Sequence, residues 1–195
     1  TNSEEASLRV MNQLYETLIE VDADMTFYGQ LAESWEIPDE TTYVFHLRQG
    51  VKFHSGREMT ADDVVYTFDR ILGKTEAGDI GALGSKASYY GGVTAVEALD
   101  TYTVQFTLAE PNAAFLSTLT SNYGAIVDKD VIEENGDLMR ADGGTGPFTL
   151  GEWLPDNYVT ITKFSDYWDA DRVQLDGITY FPVSYTHLTL PTICS

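Results

Sequence analysis

The sequence has few of the residues on which several large classes of protein depend. It contains a single cysteine, Cys194, among 195 residues, which excludes a disulfide framework within the chain and leaves no support for a zinc or iron–sulfur site. It has 11 lysine and arginine residues against 31 aspartate and glutamate residues, a formal net charge of −20. A surface this acidic repels phosphate backbones and argues against nucleic acid as a partner. No run approaches the roughly 18–20 apolar residues that a membrane helix needs.

The composition is otherwise that of a globular protein. The apolar fraction is 43%, and 195 residues suffice for one ordinary domain or two small ones. The acidic excess has two interpretations. It serves solubility, or it marks a protein from a salt-rich habitat in which salt screens the repulsion between carboxylates.

Motifs for catalysis are also missing. Neither G-x-S-x-G nor H-E-x-x-H occurs, and these mark common hydrolases and zinc enzymes. His46 and His54 have no acidic partner at a ligand spacing, which argues against zinc. The glycine-rich turn at 143–147 leads into a strand without a Lys-Ser/Thr pair, so it does not fit a phosphate loop. We therefore expect no enzymatic activity, no metal and no cofactor.

The most informative stretch runs from Tyr43 to Leu72. Tyr43, Phe45 and Leu47 alternate with more polar residues, which predicts a strand at a sheet edge, followed by a second short strand at Val51 and Phe53. Thr60 is a predicted N-cap, and the residues after it predict an amphipathic helix that ends at Gly73. The apolar stripe of this helix consists of Val64, Val65, Phe68, Ile71 and Leu72.

Other elements follow from similar patterns. The segment from Ala6 to Ile19 predicts a helix with Leu8, Met11, Leu14, Tyr15 and Leu18 on one side, and Asp22 to Met25 predicts a turn. Further predictions are a hairpin over Val93–Leu108, a short helix capped by Asn112, a helix over Asp128–Met139, and strands beginning at Phe148 and Tyr158.

Several of these segments resemble one family. FHLRQGVKFHSGREMTADDVVYTFDRIL resembles the signature segment of the extracellular solute-binding proteins, family 5, which serve peptide, oligopeptide and nickel ABC importers. YETL, LAESWE (preceded by Gln30 where a proline is common), EPNAAFL, GTGPFTLGEW and DYWDADRVQLDGI are similar to further motifs of that family, in the same order. The resemblance extends from about Tyr15 to Pro182.

The resemblance implies an α/β fold of the periplasmic-binding-protein-like type II (cluster C) with an extra inserted domain and the second lobe missing. Residues 1–18 and 126–183 would form parts of the first lobe, and 19–125 the inserted domain. The segment 184–195 does not resemble the expected continuation, so it is either a foreign tail or a divergent one, and His187 and Cys194 carry no functional weight. The chain shows no signal sequence and is expected to be an N-terminal fragment.

The implied function is that of the substrate-binding component of an ABC importer. It would capture a dipeptide, an oligopeptide or a related solute outside the cytoplasm, in the periplasm or anchored by lipid to the outer face of the membrane. It would act as a monomer and deliver its ligand to a membrane permease complex. Nickel chelates or sugars are alternative ligands within the family. A chaperone- or adhesion-like module and a secreted hydrolase that uses acidic residues are the alternatives outside it.

Candidate ligand contacts are few. By resemblance, main-chain groups just before the first helix would contact a peptide, and these correspond to Asn2, Ser3 and Glu4. Tyr89 lies beside Tyr90 in a glycine-rich stretch, where a tyrosine offers both an apolar face and a hydroxyl. Further candidates are Tyr123 and Thr145. For each of them structural packing is the alternative, as it is for Trp35, which is expected to anchor a strand rather than stack on a ligand.

Overall fold

The structure is a computed structural model that describes residues 2–75, 87–136, 142–155 and 157–181. Its helices are α1 Asn2–Leu14, α2 Ala61–Ile71, α3 Phe115–Leu119 and α4 Lys129–Asn135. Its strands are β1 Ile19–Val21, β2 Phe27–Gly29, β3 Ala32–Asp39, β4 Thr42–Leu47, β5 Val93–Asp100, β6 Thr103–Leu108, β7 Phe148–Leu154, β8 Tyr158–Lys163 and β9 Gly177–Tyr180. Among these residues, no helix has both the length and the apolar character needed to cross a bilayer.

A four-stranded antiparallel sheet forms the centre of the larger half, in the order β3-β4-β6-β5. The alternation along β4 is confirmed, because Tyr43, Phe45 and Leu47 are buried and the residues between them are only partly so. The prediction that this strand lies at a sheet edge is wrong. Both sides of β4 are paired, Phe45 with Trp35 on β3 and with Val104 on β6.

Helix α2 packs on this sheet with its predicted stripe. Thr60 is the N-cap, and its backbone N–H donates to Oδ2 of Asp63 at 3.0 Å. The ring of Phe68 is fully buried and lies edge-on to Phe106, with 4.8 Å between ring centroids. Burial of a side chain of this size stabilises the fold by roughly 1.5–3 kcal/mol. The predicted end of the helix is confirmed by Gly73, whose φ of 72° is left-handed.

A second antiparallel sheet, in the order β7-β8-β9, belongs to the smaller half. The described residues accordingly form two apolar clusters. We call them the larger core, whose buried members all lie between Leu18 and Ile126, and the smaller core. The smaller core consists of Leu14, Tyr15, Val127, Ile132, Phe148 and Ile161.

The first helix differs from its prediction at both ends. It begins at Asn2 and ends at Leu14, and the predicted last residue, Ile19, instead begins strand β1, which pairs with β2. The carbonyl oxygen of Leu18 accepts hydrogen bonds from the N–H groups of Gln30 and Ala32, which joins this segment to the chain after β2. Leu18 is buried in the larger core, but Leu8 and Met11 are 47% and 42% exposed, so the predicted apolar stripe is only partly buried.

Three other predictions differ from the structure, namely the second short strand, the cap at Asn112 and the bounds of the helix predicted over Asp128–Met139. Val51 and Phe53 are buried but form no strand, and only one bridge, Lys52 with Glu58, occurs there. The N-cap of α3 is Ala114, since Asn112 instead accepts the N–H of Ala114 through its side chain at 3.0 Å.

Helix α4 begins at Lys129, one residue after its predicted start, because Asp128 is its N-cap. It stops at Asn135, because Gly136 adopts a left-handed φ of 80°. Residues 137–139, the last part of the predicted helix, lie outside the described part of the chain.

Candidate functional site

Two of the predicted ligand contacts lie side by side. Tyr89 belongs to the 3-10 turn Ala87–Tyr90, and Tyr123 to the 3-10 turn Asn122–Gly124. Their ring centroids are 5.3 Å apart with an interplanar angle of 62°, an edge-to-face arrangement that aromatic pairs favour. Tyr89 is 57% exposed, whereas Tyr123 is half-buried against the larger core. The pair therefore presents aromatic surface to solvent.

The neighbouring tyrosine holds this pair in place. Tyr90 is 1% exposed, its hydroxyl donates to the carbonyl oxygen of Thr118 at 3.1 Å, and its ring lies edge-on to Phe68. A Cβ at Gly124 would lie 2.6 Å from the Tyr90 hydroxyl, so only glycine fits the turn that carries Tyr123. Of the two adjacent tyrosines, Tyr90 has the packing role and Tyr89 is the exposed one.

The remaining predicted contacts are placed differently. Asn2, Ser3 and Glu4 lie in the first turn of α1 rather than before it, and their side chains lie outside the described part of the structure. Thr145 is fully buried, and its hydroxyl donates to Oε2 of Glu16 at 3.1 Å. This placement favours packing, and a ligand contact through Thr145 stays a prediction. Trp35 is half-buried with its ring 6.3 Å from that of Phe45, as expected of a core anchor.

Glu16 is a buried carboxylate at the junction of the two cores. It is 3% exposed, and burial raises its pKa above the ordinary value of 4.5, against the effect of its hydrogen-bond donors. Four side chains donate to its two oxygens. They are the hydroxyl of Tyr167 at 2.7 Å, the indole nitrogen of Trp168 at 3.1 Å, the hydroxyl of Thr145 at 3.1 Å and Nε2 of Gln30 at 3.3 Å.

Glu16 and its donors lie in or beside the motifs on which the family resemblance depends. Glu16 lies in YETL, Tyr167 and Trp168 in DYW, Thr145 in GTGPF, and Gln30 before LAESWE. Four of the motifs that carry the family resemblance thus meet at one carboxylate. Only a weak signal pointed to Glu16 beforehand, namely a charged residue between the apolar residues Tyr15 and Leu18. Partners 14 to 152 positions away leave no local pattern.

His54 has acidic and carbonyl partners that its neighbours in sequence do not supply. Its side chain is 2% exposed; Nδ1 lies 2.5 Å from Oδ1 of Asp142, and Nε2 lies 2.9 Å from the carbonyl oxygen of Gly146. With both ring nitrogens occupied, His54 is unsuited to act as a general base. Within the described ranges no group of three or more possible metal ligands occurs. His46 lies on the surface beside Glu36, and His187 and Cys194 lie outside the described residues.

Arg57 joins two buried carboxylates. It donates to both oxygens of Asp63 and to Oδ1 of Asp128, and both carboxylate side chains are fully buried. Burial alone would raise the pKa of Asp128, but hydrogen bonds from Ser55 and Arg57 hold that pKa below its ordinary value. These contacts hold the turn before α2 against the start of α4 and so connect the two halves of the molecule.

A surface cleft of about 360 Å³ lies beside the smaller core. Gln13, Phe148, Tyr167, Arg172 and Ile178 are among its lining residues, and the guanidinium of Arg172 is paired with Asp169 at 3.3 Å. None of the predicted ligand contacts lines this cleft.

Known proteins share both sequence and fold with this chain. The pattern of the bacterial extracellular solute-binding proteins, family 5 (middle), matches residues 26–189. Di/tripeptide-binding protein 1 of Pseudomonas aeruginosa (strain UCBPP-PA14) is 34% identical over 172 residues, 77% of this chain and 31% of that protein. Glutathione-binding protein GsiB of Escherichia coli (strain K12) is 32% identical over 180 residues, 91% of this chain and 34% of that protein.

A solved structure shares the fold of this chain. The dipeptide binding protein of Pseudoalteromonas sp. SM9913, in complex with Met-Leu, matches with a TM-score of 0.80 and 28% identity, over 89% of this chain and 38% of that one. The predicted α/β class and its likeness to periplasmic binding proteins are confirmed.

The extent of these matches is uneven. The chain spans about a third of the length of the curated relatives it matches. The family pattern continues to residue 189, and so includes part of the segment 184–195 in which the sequence no longer resembled the family. Since the pattern covers most of the chain, the chain belongs to the bacterial extracellular solute-binding proteins, family 5.

Proposed function

We propose that this chain is part of the substrate-binding component of an ABC importer for short peptides. The observation that carries the proposal is the family match over residues 26–189, together with relatives described as binding di- and tripeptides, glutathione and Met-Leu. The relatives are solute-binding proteins rather than enzymes.

The proposal includes a division of the chain into two units. Residues 1–18 and 126–183 would belong to the first lobe, and 19–125 to an inserted domain. The two cores support this division to within one residue at each boundary, because the buried members of the larger core extend from Leu18 to Ile126. The smaller core combines residues from before and after that interval.

The proposed mechanism is capture by closure of two lobes. In a protein of the full family length, the ligand would contact both lobes only in the closed form, so binding would shift the open–closed equilibrium. The closed form would then dock on a membrane permease outside the cytoplasm, as a monomer. Among the described residues, the pair of Tyr89 and Tyr123, which presents aromatic surface to solvent, is the best-supported contact. Asn2, Ser3, Glu4 and Thr145 are further candidates.

The experiment requires the complete reading frame. We would extend the sequence from the source DNA, express the full-length protein and titrate it with Met-Leu, glutathione and nickel–histidine by calorimetry, with small-angle scattering to detect closure. Binding of a peptide with a decrease in radius of gyration is the expected result. Binding of nickel–histidine alone would assign the chain to the metal-chelate importers. A reading frame that ends at Ser195 would contradict the two-lobe mechanism.

A further inference from the structure

Next to the tyrosine pair lies a pair of asparagines from distant parts of the chain. Nδ2 of Asn122 donates to Oδ1 of Asn12 at 2.5 Å, and both residues are exposed. Asn12 is in the last turn of α1, whereas Asn122 directly precedes Tyr123 in its 3-10 turn. Three segments, around residues 12, 89 and 122, therefore converge on one surface.

The asparagine pair has the hydrogen-bonding pattern of a peptide group. One amide–amide contact leaves one carbonyl oxygen and one NH₂ group, and within the described residues neither has another partner. The same two groups remain if both side-chain amides are rotated by 180°, because the rotation only exchanges which asparagine keeps the unused NH₂ group and which keeps the unused carbonyl oxygen. A peptide unit carries the complementary pair, an N–H donor and a C=O acceptor.

The tyrosines add the second half of a recognition surface. Tyr89 offers an exposed ring face, and Tyr123 supports that ring from the side of the larger core. Aromatic rings of this kind bury apolar side chains at little cost in conformational entropy, since they have only two side-chain torsions. Burial of Tyr90 fixes the backbone from which Tyr89 projects.

We propose that Asn12, Asn122, Tyr89 and Tyr123 form a subsite for one residue of a peptide ligand. The amides pair with a peptide group, and the tyrosines contact an apolar side chain. The subsite rests on the proposed function, because only a peptide ligand requires both halves. The high negative charge of the chain further favours a neutral side chain over an acidic one at this position.

The test uses the 195-residue chain and a defined probe. The blocked tripeptide acetyl-Ala-Phe-Ala-amide is titrated to tens of millimolar, and backbone amide shifts are followed by NMR. With one lobe only, we expect a dissociation constant above about 1 mM, with shifts concentrated at residues 12, 89 and 121–124. Replacing Phe by Glu in the probe, or methylating its amide nitrogen, should weaken binding about three- to tenfold.

Matched variants separate the subsite from general effects. Tyr89→Ala and Asn122→Ala should each weaken binding about three- to tenfold, and circular dichroism should show an unchanged fold because both side chains are exposed. The controls are Tyr28→Ala, a 44% exposed tyrosine on β2, and Asn135→Ala at the end of α4, and both should bind as the parent does.

The outcomes also distinguish the subsite from the proposed function. Shifts that map elsewhere and are unaffected by Tyr89→Ala or Asn122→Ala would overturn the subsite and leave peptide binding intact. No shift at any peptide concentration would likewise overturn the subsite, while the full-length titration decides separately whether the protein binds peptides. Equal binding of the Phe and Glu probes would overturn the assigned side-chain preference.

Discussion

The indole nitrogen of Trp168 donates to the carboxylate of Glu16 at 3.1 Å, across 152 positions of the chain. The ring of Trp168 has a second partner, because the guanidinium of Arg48 lies 4.5 Å from the centre of that ring. The end of α1, the segment after β4 and the segment after β8 therefore share one network. The four side chains that donate to Glu16 are all neutral, and Arg48 contacts the ring of Trp168 rather than the carboxylate. In the described part of the chain the burial of Glu16 is thus not offset by a direct ion pair, and this arrangement should make the stability of the fold sensitive to pH.

Replacing Glu16 with glutamine should change how stability depends on pH. Burial raises the folded-state pKa of Glu16, so the protonated form favours folding. Its contribution to the free energy of unfolding is complete below the unfolded pKa, near 4.5, and is lost as the pH rises through the folded pKa. Urea unfolding from about pH 4 to about pH 8 should show that the parent loses stability relative to Glu16→Gln with rising pH.

The control for this effect is Glu97→Gln, because Glu97 is exposed on β5. It should give a constant offset from the parent within about 0.5 kcal/mol. If the parent instead gained stability relative to Glu16→Gln over this pH range, the folded-state pKa would be lowered, and the account of Glu16 given above would be wrong.

Arg57→Ala should be strongly destabilising. It would leave Asp63 and Asp128 as buried carboxylates without their cation, a change that typically costs about 3–5 kcal/mol. Arg57→Lys should recover only part of the loss, because a lysine cannot reproduce the contacts of the planar fork with both carboxylates. The comparison is Arg172→Ala, whose side chain is 78% exposed and pairs with Asp169. That loss should be at most about 1 kcal/mol by chemical denaturation, and equal losses at both positions would refute the prediction.

His46 and His54 offer a paired test of burial. His54→Ala removes two hydrogen bonds in a buried position and leaves the Asp142 carboxylate, within the described residues, with only the backbone N–H groups of Gly144 and Leu150 as donors, so we expect a loss of about 2–4 kcal/mol. His46→Ala removes one exposed contact with Glu36 and should change stability by less than about 0.5 kcal/mol. Hydrogen exchange should also show faster exchange at residues 144–150 in His54→Ala only. Similar losses in both variants would mean that the contacts of His54 contribute little.

Local patterns were sufficient to predict much of the secondary structure. The alternation of Tyr43, Phe45 and Leu47 and the cap at Thr60 depend on neighbours within a few positions, and the structure confirms both. The position of β4 inside the sheet could not be predicted this way. Its partners on β6 are about 60 positions away, and a strand with one apolar face looks the same at an edge and in the middle.

The candidate site was predictable only in part, for the same reason. Exposed aromatic residues in a glycine-rich stretch pointed to Tyr89, but only the turn geometry separates it from the buried Tyr90. Asn12 and Asn122 are 110 positions apart, and neither belongs to a motif. Polar partnerships of this kind depend on the tertiary arrangement, which single-residue propensities do not encode.

The final prediction concerns Gly144 and Gly146 in the glycine-rich turn, where we expect close backbone packing to require glycine. A Cβ at Gly144 would overlap the carbonyl oxygen of Leu14 at the end of α1, and one at Gly146 would lie 2.5 Å from the carbonyl oxygen of Gln13. Neither contact involves the far end of a flexible side chain, so the backbone itself would have to move. Gly144→Ala should therefore cost at least about 3 kcal/mol in urea unfolding. Gly92→Ala, where a Cβ meets no atom within 4 Å, should be neutral or slightly stabilising, by up to about 1 kcal/mol. A loss of less than about 1 kcal/mol for Gly144→Ala would show that α1 and this turn are not in such close contact.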